Sequence, residues 1–440
     1  MLMACSRNER GLYLAFNKSI AKEAHLSFPS CVDCRTTHSL AARAVRSINR
    51  YDQNKMFSRI TSKQLSSELG LGRIRVGDML ALEPDQQAFL ILSTVRSFSQ
   101  SSSLEICSDN VPKTGKVLGL DQAHSSALIN WIVDEATNLW HRMIDPADQI
   151  PLGHDGYLKL WALGNPVLDY DYVLLDEAQD TNPVVLEVVQ NQTRQIVFVG
   201  DRHQQIYAWR GAVNAMEQIT TEYEAKLTQS FRFGQAIADA ATNILRKLGE
   251  TDPVRGNPKV QSEILSSSHT DAVLTRTNAS VIAETLNLVT EGRLPHIVGG
   301  TTELKALVRD VFELKKGIPG SHPDFFGFST WKDVVEFSEK EEGADLRPFV
   351  TLVEQNGPGR LWAAICASSE DETKADVAVS TAHKAKGREW RSVRISDDFS
   401  ASIDKNSNIS EEEARLFYVT ITRAKERLSV DSTLLASFTD

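Results

Sequence analysis

Two adjacent carboxylates, Asp176 and Glu177, end the apolar run of the segment YVLLDEAQD. Acids at the carboxyl end of a buried strand stand where open α/β sheets bind ligands. There Asp176 could hold Mg²⁺, and Glu177 could orient and deprotonate a water that attacks a phosphate. An isolated Asp-Glu pair also serves as a helix cap followed by a solvated acid, so the neighbouring sequence has to decide. A second apolar run, QIVFVGD, ends at Asp201 and continues into RHQQIYAWRGA. That continuation holds the amides Gln204 and Gln205, the aromatics Tyr207 and Trp209, and the cation Arg210. Aromatics interleaved with bases suit single-stranded nucleic acid, because every base offers a face for stacking while cations meet phosphates. The competing reading of Tyr207 and Trp209 is burial in a core or interface. Phe16 and Asn17 in AFNKS, and Thr37 and His38 in TTHS, fall near strand ends and could grip the same strand, or serve as turn and cap residues.

These residues need elements to position them. Strand-like and helix-like segments alternate, the pattern of a parallel sheet covered by helices. GLYLAF (11–16), YVLL (172–175) and QIVFVGD (195–201) read as strands, with NKSIAKEAHLSF as a helix behind the first. Between the last two, Thr181 or Asn182 caps a short helix that has Pro183 at its first position. A first α/β domain over 1–70 and 165–222 follows, with a helical insertion at 71–164. DAVLTR, ADVAVSTAH and RSVRIS read as strands of a second α/β domain, over 223–298 and 373–440, with a smaller insertion at 299–372. In it EEEARLFYVTITRAKER reads as one helix, acidic at its start and basic at its end, as the macrodipole favours.

The 440 residues suffice for a sizeable core and roughly two to four domains. Hydrophobic content of 41% and charged content of 24% are ordinary for a globular chain. No run of about 18 apolar residues occurs, and the first residues lack a signal peptide's pattern, so a soluble, cytoplasmic protein is expected. Among five cysteines, Cys31 and Cys34 form a close pair without a second pair to complete a zinc site, so structural or incidental thiols are expected. A formal charge of −10 argues against wholesale coating of nucleic acid and leaves room for a local basic groove.

LLDEAQD, VGDRHQQIYAWRGA, LTQSFRFG, STAHKAKGREW and EEEARLFYVTITRAK resemble, in order, motifs II to VI of superfamily 1 helicases of the UvrD/Rep/PcrA type. YLAFNKS and TTHSLA resemble motifs Ia and Ib of that family, and the wording of YLAFNKSIAKEA, TAHKAKGREW and SDDF is similar to its F-box DNA helicase branch and bacterial relatives. The resemblance runs from about residue 11 to 430 and weakens in both insertions. It implies two RecA-like P-loop NTPase domains, ATP and Mg²⁺ as cofactors, and 3′-to-5′ movement on single-stranded DNA or DNA with a 3′ tail, with hydrolysis between the domains. It implies no membrane, repair or recombination as the setting, and association with the nucleoid if the protein is bacterial. By residue, it makes Asp176 the metal ligand, Glu177 the base and Gln204 the γ-phosphate sensor. Tyr207, Trp209 and Arg210 would meet DNA, with Phe16, Asn17, Thr37, His38 and His383. Phe231 would lie on adenine, Arg232 would touch the γ-phosphate, Gly387 and Glu389 would border the nucleotide with Lys386, and Arg423 would be the arginine finger.

One part of the family pattern is not found. A GxxxxGK[ST] loop should precede motif Ia, because backbone amides, a lysine and a hydroxyl must surround the phosphates and Mg²⁺. KTGKV and KAKGRE lack its glycine spacing and the hydroxyl, and the adenine-reading glutamine upstream is also not found. MLMACSRNER falls where the helix after that loop would end, so a missed upstream start or a truncated gene is expected, ahead of a product that has lost ATPase function. These 440 residues by themselves are expected to show undetectable or severely reduced ATPase. The leading expectation is an ATP-dependent DNA helicase. The others are a catalytically impaired helicase-fold protein that binds DNA or a protein partner, and an RNA helicase.

Overall fold

The computed structural model describes residues 9–15, 18–49, 51–77, 80–112, 120–206, 215–265, 270–326, 328–340, 343–403 and 409–439. The chain divides into two units, Met1–Thr220 and Thr221–Asp440.

The first unit is built on a sheet of β1 (Gly11–Ala15), β2 (Val32–Thr36), β5 (Tyr172–Leu175) and β6 (Gln195–Phe198) in the order β2-β1-β5-β6, all parallel. Every residue of GLYLA is buried, as expected of a strand covered on both faces. Alternation sends Leu12, Leu14, Val173 and Leu175 into the main core. Tyr13, Ala15 and Tyr172 take the other face, against Ala21 and Ala24 of α1 (Lys18–Ser27). The helices α2 (Thr37–Asn49), α3 (Gln53–Phe57), α4 (Ser62–Glu68), α5 (Pro84–Gln100), α6 (Gln122–Ile144) and α7 (Gly153–Leu163) follow β2 in the chain, with an antiparallel hairpin of β3 (Ile74–Val76) and β4 (Leu80–Leu82) among them. The hairpin falls in a stretch with few strand signals, read from its periodicity as helical. Leu80 and Leu82 anchor it by packing with Leu90 of α5 and with Leu128 and Ile132 of α6. The buried Lys55 ties α3 to the end of α6, donating from Nζ to the carbonyls of Arg142, Asp148 and Ile150 at 3.1, 2.9 and 2.7 Å. Helix α8 (Pro183–Gln190) joins β5 to β6, with Asn182 capping it by accepting from Val185 N at 3.2 Å and Pro183 at its start, as read from the sequence. The short α9 (Ala215–Gln218) ends the unit's described elements.

The second unit holds a parallel sheet in the order β7-β12-β11-β8-β10-β9. In chain order its elements are α10 (Gln235–Lys247), β7 (Glu263–Leu265), β8 (Ala272–Thr275), α11 (Asn278–Thr290), β9 (Pro295–Ile297), α12 (Thr302–Lys315), α13 (Trp331–Ser338), α14 (Arg347–Asn356), α15 (Pro358–Cys366), β10 (Val377–Thr381), α16 (Ala382–Ala385), β11 (Trp390–Ile395), α17 (Glu411–Ile421), β12 (Ala424–Ser429) and α18 (Ser432–Thr439). Helices α11 to α15 share one core with Val273 of β8 and with Val377 and Val379 of β10. The segment read as a single helix divides. α17 keeps the acidic start, capped by Ser410, which accepts from Glu413 N at 3.3 Å. It stops at Ile421, and AKERLS runs as β12 beside β11. The charges at its end favoured a helix locally, but pairing with β11 and burial of Ala424, Leu428 and Ser429 outweigh that preference.

The cysteine pair does not join. Cys31 is disulfide-bonded, whereas Cys34, Cys107 and Cys366 are free. Among the described residues no helix is long and apolar enough to cross a membrane.

Candidate functional site

In the first unit the sheet order gathers the chemistry. β1 lies between β2 and β5, and β5 pairs with β6, so the segments leaving their carboxyl ends converge on one edge of the sheet. Asp176 follows β5 directly, its N–H donating to Leu14 O of β1 at 3.1 Å. One side-chain oxygen, Oδ1, accepts from Glu177 N at 3.0 Å, and the other accepts from the phenol of Tyr13. Burial and the adjoining carboxylate push the Tyr13 phenol above its ordinary range, so it stays a donor at neutral pH.

Glu177 has φ 50° and ψ 44°, the left-handed region that non-glycine residues seldom occupy. Such backbone persists where its surroundings over-determine it, and here they do. The fully buried Gln179 donates from Nε2 to Glu177 Oε2 at 2.5 Å and accepts on Oε1 from Asp201 N at 3.1 Å. Ala178 N donates to Val199 O at 2.9 Å, fastening the two strand ends together. Asp201 in turn accepts from His203 N on Oδ1 at 2.9 Å and from Gln204 Nε2 on Oδ2 at 2.9 Å. A continuous polar chain therefore runs Glu177, Gln179, Asp201, Gln204. Gly200 permits it, since a Cβ there would collide with Oε1 of Gln179.

Thr37 and His38 open α2 after β2 on the same edge, with Thr37 buried and His38 half-exposed. Phe16, Asn17, Tyr207, Trp209 and Arg210 lie outside the described residues.

In the second unit the expected site residues divide between the two edges of the sheet. His383 follows β10 in α16, at the carboxyl edge, and Gly387 has φ 79°, a left-handed turn that favours glycine. Glu389 and Arg423 instead immediately precede β11 and β12, and Trp390 N donates to Arg423 O at 3.0 Å. Arg232 reaches this opposite edge from the loop before α10, donating from Nε to Glu389 Oε2 at 2.7 Å and from Nη1 to Thr422 O at 3.3 Å. Lys425 pairs with the other Glu389 oxygen. Although burial alone would raise it, the Lys425 and Arg232 contacts hold the Glu389 carboxyl below its ordinary range. Phe231 is 83% exposed, an unusual state for an aromatic ring. Arg423 is 1% exposed, with Nε on Val419 O at 2.8 Å, Nη1 on Arg388 O at 3.4 Å and Nη2 on Thr422 Oγ1 at 3.1 Å.

Tyr13, Gln179, Asp201 and Lys425 were not singled out from sequence as site residues. Gln179 carried a signal, an amide set within an otherwise apolar and acidic turn. Tyr13 carried none, because its partner is set by strand order.

Hard carboxylate oxygens at a strand end are the donor type Mg²⁺ selects, so Asp176 and Glu177 fit that ion. No cluster of three or more His, Cys, Asp or Glu side chains arranged for a metal occurs among the described residues. Exposed Phe231 and half-exposed Arg232 are the types that meet a base and a phosphate.

Comparison with known proteins finds helicase relatives. The UvrD/REP helicase N-terminal domain family matches residues 161–224, and the UvrD-like helicase C-terminal domain family matches residues 329–434. F-box DNA helicase 1 of Gallus gallus is 29% identical over 96% of this chain and 45% of its own length. F-box DNA helicase protein 1 of Schizosaccharomyces pombe is 28% identical over 96% of this chain and 52% of its own. The ATP-dependent DNA helicase PcrA of Leuconostoc citreum is 30% identical over 19% of this chain and 12% of its own. The chain thus spans about half the length of the two F-box helicases.

Proposed function

The chain carries UvrD-like helicase N-terminal and C-terminal domains of RecA-like α/β fold, and from that premise we propose that the whole protein hydrolyses ATP to move 3′ to 5′ along single-stranded DNA. The observation that carries the reading is the polar chain from Glu177 through Gln179 and Asp201 to Gln204, beside an Asp176 fixed by Tyr13.

Bound Mg²⁺ would neutralise charge on the transferred phosphate, with Asp176 its protein ligand. Glu177 accepts the proton of the attacking water, and Gln179 aims its carboxylate by holding Oε2. Gln204 senses the γ-phosphate and, through Asp201, transmits its position to the acids. Arg232 and Arg423 offset phosphate charge, Phe231 stacks on adenine, and Gly387 with Glu389 borders the ribose. Phe16, Asn17, Thr37, His38, Tyr207, Trp209, Arg210 and His383 contact the DNA. Repair or recombination of DNA is the process such a motor serves.

A second reading is a helicase fold that binds DNA without turning over ATP. It is favoured by one observation, that no GxxxxGK[ST] segment occurs in these 440 residues. Binding of a fluorescent dT oligomer and phosphate release with and without it separate the two. DNA-stimulated release that disappears in Glu177→Gln supports the motor. Salt-sensitive binding with no release supports the second reading for these 440 residues, and no binding at all refutes both.

A further inference from the structure

Several arginines of the first unit meet a carboxylate, and others do not. Arg35 pairs with Asp33, Arg73 with Glu83, Arg96 with Asp155, and Arg142 with both Glu68 and Asp148. Arg43 and Arg46, one turn apart on the exposed side of α2, meet none among the described residues, and neither does the exposed Arg59 just beyond α3. Arg43 and Arg46 line an open cavity of about 390 Å³ with Ala42, Ser47 and Phe57. Phe57 ends α3 and is 39% exposed, its ring tilted against His154 (5.7 Å between centroids) and edge-on to Tyr157 (5.9 Å). His154 Nδ1 and the Tyr157 hydroxyl are 2.9 Å apart, so both rings behind Phe57 are fixed by α7. His38 completes the cluster, 6.1 Å from the Tyr157 ring. Burial first, then His38, Arg59 and Lys18, lower the proton affinity of His154, and Asp155 opposes them.

A buttressed aromatic ring beside unpaired guanidinium groups is what single-stranded nucleic acid needs. The ring offers a stacking face without ordering cost, and the cations meet successive phosphates. We propose that the α2–α3 face is a further single-stranded DNA contact, in which Phe57 stacks on a base and Arg43 and Arg46 hold the flanking phosphates. The proposal rests on the reading of the chain as a DNA-binding helicase and extends it to residues that no motif includes. It places DNA along α2 beyond His38, the residue at that helix's start. Arg59 and Lys18 add to the positive field without a specified contact.

The test compares binding of a dT oligomer and an abasic oligomer of equal length at several KCl concentrations. The full chain, Arg43→Gln/Arg46→Gln and Phe57→Ala are measured, with circular dichroism reporting folding and Phe57→Leu as a packing control. The double variant is expected to reduce the slope of log affinity against log salt by about 1.4, two phosphates at roughly 0.7 each for a single strand. Phe57→Ala is expected to weaken dT binding at least about fivefold and to leave abasic binding unchanged. Unchanged slope and affinity in a chain that binds dT overturns the proposal and leaves the helicase reading standing. Equal loss on both oligomers overturns the stacking role of Phe57. If the full chain fails to bind dT, the helicase reading itself falls, and this contact with it.

Discussion

The Tyr13 phenol, on β1, donates to the Asp176 carboxylate at the end of β5, across two adjacent parallel strands in which Tyr13 stands opposite Leu174. The contact reaches two residues beyond that register, so strand pairing sets the carboxylate's orientation before any ligand arrives. A hydrogen bond to a charged group contributes about 1.5–3 kcal/mol. Urea unfolding of Tyr13→Phe, Asp176→Ala and the double variant should give a coupling energy in that range. A coupling below about 0.5 kcal/mol, the scatter of independent sites, would show that the two side chains do not act together.

Gln179 is wholly buried between Glu177 and Asp201, so its replacement leaves polar groups in the interior without partners. Gln179→Leu should destabilise the first unit by about 2 kcal/mol, the cost of stranding such groups. Gln179→Glu preserves the acceptor for Asp201 N but sets a carboxylate against Glu177, and at neutral pH it should be the worse variant. Equal stability of Gln179→Glu and the parent would remove the polar chain from the account.

Arg423 and Arg232 share an edge of the second sheet yet differ in burial. The Arg423 guanidinium meets three internal acceptors, and a lysine has neither the reach nor the fork to replace it. Arg423→Lys should lower unfolding stability by about 2–3 kcal/mol. Arg232→Lys, whose pairing with Glu389 is half-exposed, should change it by under about 1 kcal/mol. Equal stability losses would contradict the difference in burial. Any phosphate release should fall in both variants, so only Arg232 reports on nucleotide chemistry without a stability change.

The strands carrying the site acids were legible because their residues are buried on both faces and read as continuous apolar runs, GLYLA and YVLL. β2 was not, since VDCRT buries only its first and last residues and carries charges between them. β12 was concealed by AKER, whose charges match a helix end as well as a half-buried strand. Asp176 and Glu177 could be found as acids that interrupt apolar runs. Tyr13 could not, because in sequence it is one more apolar residue of β1, and only the pairing of β1 with β5 brings it to Asp176. The edge shared by Arg232, Glu389 and Arg423 was likewise hidden, since it depends on where β11 and β12 begin. Spacing along a chain encodes which groups are present, whereas strand order decides which of them meet.

Lys159 of α7 lies 1% exposed, with Nζ on the carbonyls of Ser101 and Ser103 at 2.7 and 2.5 Å and 4.4 Å from the centre of the Phe98 ring. Burial, partly opposed by Glu187, pushes its ammonium down from 10.5 to about 8. Below pH 8 the amine is protonated in both folded and unfolded chains, and the cost of burying the charge is present in full. Between pH 8 and 10.5 the unfolded chain binds more protons than the folded one, so this group's contribution to stability rises with pH. Lys159→Met removes the titration and keeps most of the side chain's volume. The urea midpoint of the parent minus that of Lys159→Met should therefore increase from pH 7 to pH 9.5. A difference that stays flat would mean that the two carbonyls and the ring fully compensate the buried ammonium, and one that shrinks would reverse the sign of the shift.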